Sequence, residues 1–118
     1  SIVATGKNTT VLHYVENNKP CKNGDLILLD VAAEYGNYAS DLTRCVPANG
    51  KFSKRQKEVY NAVLRVMRAA TKMLVVGNTI EKYHVEVGKL MEKELIGLGV
   101  VDAKAGAKQD KNKPSYKK

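Results

Sequence analysis

Hydrophobic and polar positions follow two different periods along this chain, and the change falls near residue 53. Before it the apolar runs are short and separated by turn residues, the pattern of strands. Ser1 to Thr5 reads as a strand, Gly6-Lys7-Asn8 as a turn, and Thr9 to Tyr14 as a second strand carrying His13. Glu16 to Pro20 is a polar loop, and Lys22-Asn23-Gly24-Asp25 turns into the apolar run Leu26-Ile27-Leu28-Leu29. Glu34-Tyr35-Gly36-Asn37 supplies turn residues, and Tyr38 to Val46 returns as the partner strand.

After residue 53 the period becomes helical. Ser53-Lys54-Arg55-Gln56 is a capping box, in which Ser and Gln side chains satisfy each other's backbone N–H groups. Val59, Tyr60, Val63, Val66, Met67, Ala70 and Leu74 then recur at three- and four-residue steps, with the basic residues mostly opposite. Val76-Gly77-Asn78 breaks this helix, and Asn78 or Thr79 caps the next. Ile80, Tyr83, Val87, Leu90, Met91 and Leu95 form its apolar face, which ends near Gly97 and Gly99. Asp102 to Lys118 has no period and reads as loop. These elements predict an α+β fold: antiparallel strands followed by two long amphipathic helices.

The candidate chemistry lies in the central hairpin. A turn centred between Tyr35 and Gly36 makes Asp30 oppose Asp41 directly, on one face of the sheet. Like charges so placed repel, and they need a shared proton or a cation between them. Oxygen donors suit magnesium, calcium or manganese, and mixed oxygen and nitrogen donors suit manganese, iron, cobalt or zinc. The alternative is that both aspartates stand on a solvated face where water and salt screen them.

Composition narrows the class without naming it. The chain has 118 residues, 43% hydrophobic and 27% charged, as expected of one modest globular core. No apolar run approaches the roughly 20 residues of a membrane span, and Ser1 to Thr5 is no signal peptide. Cys21 and Cys45 have no metal-type spacing and read as reduced thiols of a cytoplasmic protein. Six lysines against the single acid Asp110 between Lys104 and Lys118 account for most of the net charge of +8. A tail with one aromatic and no arginine reads as a solvated connecting segment, and no nucleic-acid partner is expected.

The residue identities go further. Asp30-x-Ala32, Tyr38-x-x-Asp41-x-Thr43-Arg44 and Pro47-x-Asn49-Gly50-Lys51-Phe52 together resemble the pita-bread metallopeptidases, most of all the Xaa-Pro aminopeptidase (aminopeptidase P) and prolidase branch. Ala32 stands where glycine is common. Leu12-His13-Tyr14 is similar to the family's His-Tyr segment. The resemblance implies that residues 1–103 are the N-terminal half of a pita-bread catalytic domain and residues 104–118 a connecting segment. It implies that Asp30 binds one metal ion and Asp41 bridges two, that His13 lines the active site, and that Thr43 orients Asp41. Tyr38 and Arg44 go to packing and hairpin support.

The cofactors implied are two divalent ions, manganese first, with zinc, cobalt or iron as alternatives. The reaction implied is release of an N-terminal residue that precedes proline in a peptide, by a homo-oligomer in full length. A further histidine and two glutamates that complete the family's site have no match in this chain, so the 118 residues read as part of an enzyme, inactive alone. An Xaa-Pro dipeptidase (prolidase) remains the nearest alternative. A non-catalytic pita-bread binding module is disfavoured because such relatives lose the metal carboxylates, and both are present here. A basic nucleic-acid-binding domain would rest on the tail charge alone.

Overall fold

A computed structural model describes residues 1–101; the lysine-rich segment read as loop lies outside the described residues. In chain order the elements are β1 (Ile2–Thr5), a 3-10 helix (Gly6–Thr10), β2 (Leu26–Val31), β3 (Glu34–Tyr35), β4 (Tyr38–Ala39), β5 (Leu42–Pro47), α1 (Lys54–Met73) and α2 (Ile80–Gly97). The fold is α+β, as the pattern predicts. The chain divides into two compact units, Ser1–Gln56 and a second that begins at Lys57.

In the first unit β2 is the middle strand of an antiparallel sheet ordered β1-β2-β5. Leu26 to Leu29 are half-buried throughout, as a strand paired on both edges requires. Asn17 closes the outer edge of β1. Its Oδ1 accepts from the Val3 N–H at 2.7 Å, and its Nδ2 donates to the Ser1 carbonyl at 3.1 Å. Asp25 ties the lower end of the sheet together: Oδ2 accepts from the Thr5 hydroxyl and the Lys22 N–H, and its carbonyl accepts from Ala48 N–H. Gly6 sits over this carboxylate at φ +55°, where an added Cβ would meet Asp25 Oδ1 at 3.3 Å.

The strand expected from Thr9 to Tyr14 does not form; the chain runs through a 3-10 helix and a turn. Hydroxyl groups explain the difference. Thr9 Oγ1 donates to the Gly6 carbonyl at 2.8 Å and Thr10 Oγ1 to the Lys7 carbonyl at 2.9 Å. Such local bonds give the backbone an alternative to a sheet ladder.

The capping box is present. Ser53 N–H donates to Gln56 Oε1 at 2.8 Å, and Gln56 N–H to Ser53 Oγ at 3.2 Å. Gln56 also donates to the Gly24 carbonyl, fastening the first turn of α1 to the turn before β2. Thr79 is the cap of α2, accepting from Lys82 N–H. At the other end Gly99 N–H bonds the Ile96 carbonyl and Val100 N–H the Leu95 carbonyl, with Gly99 at φ +68°, the Schellman arrangement.

The stripe expected on α1 is only partly buried: Val66 and Ala70 are, but Val59, Val63 and Met67 are 38%, 52% and 36% exposed, Leu74 is exposed too, and the buried line runs through Ala62 instead. Two of the three buried residues are alanines, and the broader aliphatic face stays exposed. On α2 Gly88 is buried, most of the expected stripe is half-buried, and Ile80 is exposed. Arg65 on α1 meets Glu94 on α2 in a bidentate pair, Nε to Oε1 at 2.8 Å and Nη2 to Oε2 at 2.6 Å. These bonds hold the Glu94 carboxyl below the usual carboxylate range. Cys21 and Cys45 are both free thiols, and partial burial pushes the Cys45 thiol up.

Ser53→Ala removes half of the capping box and should cost about 1 kcal/mol in chemical denaturation. Glu94 has a depressed folded-state pKa, so its contribution is present above the ordinary value of 4.5 and is lost as pH falls through the lowered one. Melting curves between neutral and acid pH should therefore show a decline below about that value which is shallower in Glu94→Gln; identical profiles would exclude the pair from acid stability.

Candidate metal centre

The hairpin that carries the aspartates is turned by Gly36 and Asn37, at φ +56° and +67°. Two positive φ values in succession mark a type I′ turn, whose twist matches that of the flanking strands. Glu34 Oε1 accepts the Asn37 N–H at 2.7 Å and holds the turn. The centre therefore lies between Gly36 and Asn37, one residue later than the sequence reading places it. The reason is steric: Asn tolerates the left-handed region and a bulky Tyr35 does not.

This moves the register. Tyr35 opposes Tyr38, Val31 opposes Leu42, and Asp30 opposes Thr43 rather than Asp41. Asp41 falls opposite Ala32, two residues along from Asp30. The slip is by two positions, so regular alternation carried through this stretch would keep both aspartates on one face. Diagonal neighbours of this kind stand roughly 7–8 Å apart, wider than a directly opposed pair. That separation leaves room for a cation between carboxylates in place of direct repulsion.

Thr43 Oγ1 donates to Asp30 Oδ1 at 2.7 Å. The partner of Thr43 is thus Asp30, where the sequence reading assigned Asp41. Thr43 and Asp30 are directly opposed, so the hydroxyl needs no reach. Arg44, the cation nearest in sequence, donates to the Thr43 carbonyl at 2.7 Å and not to either aspartate. Among the described residues neither carboxylate takes part in an ion pair, and the Asp41 side chain has no hydrogen-bond partner. Tyr38 is 85% exposed, so among the described residues it does not do the packing expected of it.

Sequence reasoning missed Ser40. Its N–H donates to the Ala33 carbonyl at 2.9 Å, its hydroxyl donates to the same carbonyl at 3.1 Å, and its Oγ accepts the Ala33 N–H at 3.0 Å. The side chain replaces a missing rung of the ladder between the two parts of the hairpin. A serine beside a carboxylate in a strand is the signal, though nothing in its spacing distinguishes it from a solvated one.

His13 lies in the turn after the 3-10 helix, exposed, with φ +55°. It belongs to no group of three or more histidine, cysteine, aspartate or glutamate residues placed to hold a metal, and no such group exists among the described residues. Asp30 and Asp41 therefore offer hard oxygen donors that fit a divalent cation, but supply only part of a coordination shell.

A family model for metallopeptidase family M24 matches residues 1–113. The chain belongs to this family. It is 45% identical over 101 residues to the Xaa-Pro aminopeptidase of Haemophilus influenzae, covering 86% of this chain and 24% of that protein. The Xaa-Pro aminopeptidase of Escherichia coli is 39% identical, with 86% and 23% covered. Among solved structures, the aminopeptidase PepP of Pseudomonas aeruginosa superposes with a TM-score of 0.82 at 41% identity, covering 86% of this chain and 23% of that one. A zinc-substituted Escherichia coli aminopeptidase P in complex with product gives 0.81 at 38% identity, again with 86% and 23% covered. The M24 chain described here thus has the pita-bread architecture of aminopeptidase P over the matched part, and spans about a quarter of the length of these relatives.

Gly36→Ala places a Cβ in the left-handed region and should cost about 1 kcal/mol. Amide exchange should quicken from Glu34 to Ser40 while β1 and β2 keep their protection; a uniform change would mean that this turn does not govern the hairpin.

Proposed function

We propose that this chain is the N-terminal half of the catalytic domain of a dinuclear-metal Xaa-Pro aminopeptidase, with residues 1–103 in that half and residues 104–118 as a connecting segment. The observation that carries the reading is the hairpin: it brings in two carboxylates that no cationic side chain pairs with among the described residues, in a chain whose relatives are named Xaa-Pro aminopeptidases. Those names also favour an aminopeptidase over the dipeptidase alternative.

In this reading Asp30 and Asp41 would together hold two divalent ions, with manganese the first candidate. Bound ions supply Lewis acidity and a lowered pKa for a held water. The chain's own residues hold and orient. Thr43 fixes one oxygen of Asp30, Ser40 fixes the backbone beside Asp41, and the turn at Gly36 and Asn37 sets their offset. His13 lines the site, where an imidazole can donate a hydrogen bond to a developing oxyanion or move a proton. The left-handed backbone at this non-glycine residue is a form of strain that clusters at functional positions. The substrate is a peptide with proline second, and the working protein is a homo-oligomer of the cytoplasm. The remaining ligands come from polypeptide outside these 118 residues.

The test is the full-length polypeptide with manganese and an Xaa-Pro peptide. Asp41→Asn should lower both metal content and turnover by more than the roughly 10–100-fold that loss of a ligand's supporting partner costs. A full complement of two ions in that variant would overturn the assignment. Residues 1–118 alone should give no turnover, and turnover by them would refute the division of the site.

A further inference from the structure

The relatives' names say nothing of how the two carboxylates are held, and the hairpin itself answers this. We infer that Ser40 and Thr43 are paired positioning residues, one for each aspartate. The inference rests on the reading of Asp30 and Asp41 as metal ligands.

The two hydroxyls act in different ways. Thr43 is directly opposed to Asp30 across the β2–β5 pair, and its hydroxyl donates to Oδ1 at 2.7 Å. A carboxylate on a strand can otherwise rotate about its terminal torsion, which is broad and roughly two-fold. One short hydrogen bond removes that freedom and leaves Oδ2 and the second lone pair of Oδ1 for a cation. Ser40 works on the main chain. The regular ladder lapses at Ala32-Ala33 and at Ser40-Asp41, between β2–β5 and β3–β4. There the Ser40 hydroxyl both accepts from and donates to Ala33. At this step the main chain supplies one bond, Ser40 N–H to the Ala33 carbonyl at 2.9 Å, and the hydroxyl takes up the Ala33 N–H that a regular ladder would give to the Ser40 carbonyl. Without it, the peptide preceding Asp41 would be held to the opposite strand by that single backbone bond. Direct support of one ligand and backbone support of the other together fix the diagonal offset that the turn creates.

The experiment uses the full-length polypeptide, prepared metal-free and titrated with manganese alone by calorimetry, with electron paramagnetic resonance to report spin coupling between ions. The variants are Thr43→Val, which keeps the shape and loses the donor, Ser40→Ala, and the rescues Thr43→Ser and Ser40→Thr. Asp30→Asn and Asp41→Asn serve as ligand controls. Loss of a supporting partner weakens metal binding by about 10–100-fold. Thr43→Val and Ser40→Ala should each fall in this range, with metal affinity restored in the hydroxyl-bearing variants. Wild-type manganese affinity in Thr43→Val or Ser40→Ala, with loss in both aspartate variants, would overturn the positioning role of that residue and leave the ligand reading standing. Wild-type affinity in Asp30→Asn and Asp41→Asn would instead overturn the ligand reading. Weakened binding that Thr43→Ser or Ser40→Thr fails to restore would also count against the hydroxyl as cause.

Discussion

The handedness of one two-residue turn governs the register of the hairpin that carries Asp30. Gly36 and Asn37 adopt positive φ in succession because a type I′ turn must twist with its strands. That choice fixes Tyr35 against Tyr38 and, through the ladder, Asp30 against Thr43. A turn one residue earlier would bring two carboxylates into direct opposition and leave Thr43 facing another residue. The observed turn replaces a repulsive pair with a hydrogen-bonded one and sets the second aspartate on the diagonal.

Three aspartates in the first unit show how position decides a carboxylate's use. Asp25 is half-buried and collects a hydroxyl, a backbone N–H and a strand end; it is spent on structure. Asp30 has one local donor and Asp41 has no side-chain partner among the described residues. Carboxylates with several local donors have their lone pairs committed, whereas these two retain most of theirs. Residue type is the same in all three cases, and the count of local donors separates them.

What could be read from the sequence was local or periodic. Ser53 and Gln56 announce a helix start because both partners lie within one turn. The stripes on α1 and α2 follow from period alone. Depth of burial is another matter: Ala62 and Gly88 are buried and Val63 is not, because burial depends on what lies opposite each position, which period does not encode. The expected parity of Asp30 and Asp41 does not depend on which of the two registers forms, since a slip of two positions preserves it in a regular ladder. Their direct opposition was not, because it hinged on whether Tyr35 or Asn37 would accept a left-handed backbone. The stretch from Thr9 to Tyr14 failed as a strand for a similarly short-range reason, two threonine hydroxyls returning to carbonyls three residues earlier.

The Asn17 amide on the rim of β1 makes the sheet directional. A sheet with two bare rims can add strands at either side and so propagate without limit, which is the geometry of fibre growth. Here one rim already has a side chain occupying an N–H and a carbonyl, while β5, last in the order β1-β2-β5, has no further strand on its far rim among the described residues. Growth by strand addition can then proceed from one side alone. Two copies meeting rim to rim would use up both of their open sides and stop.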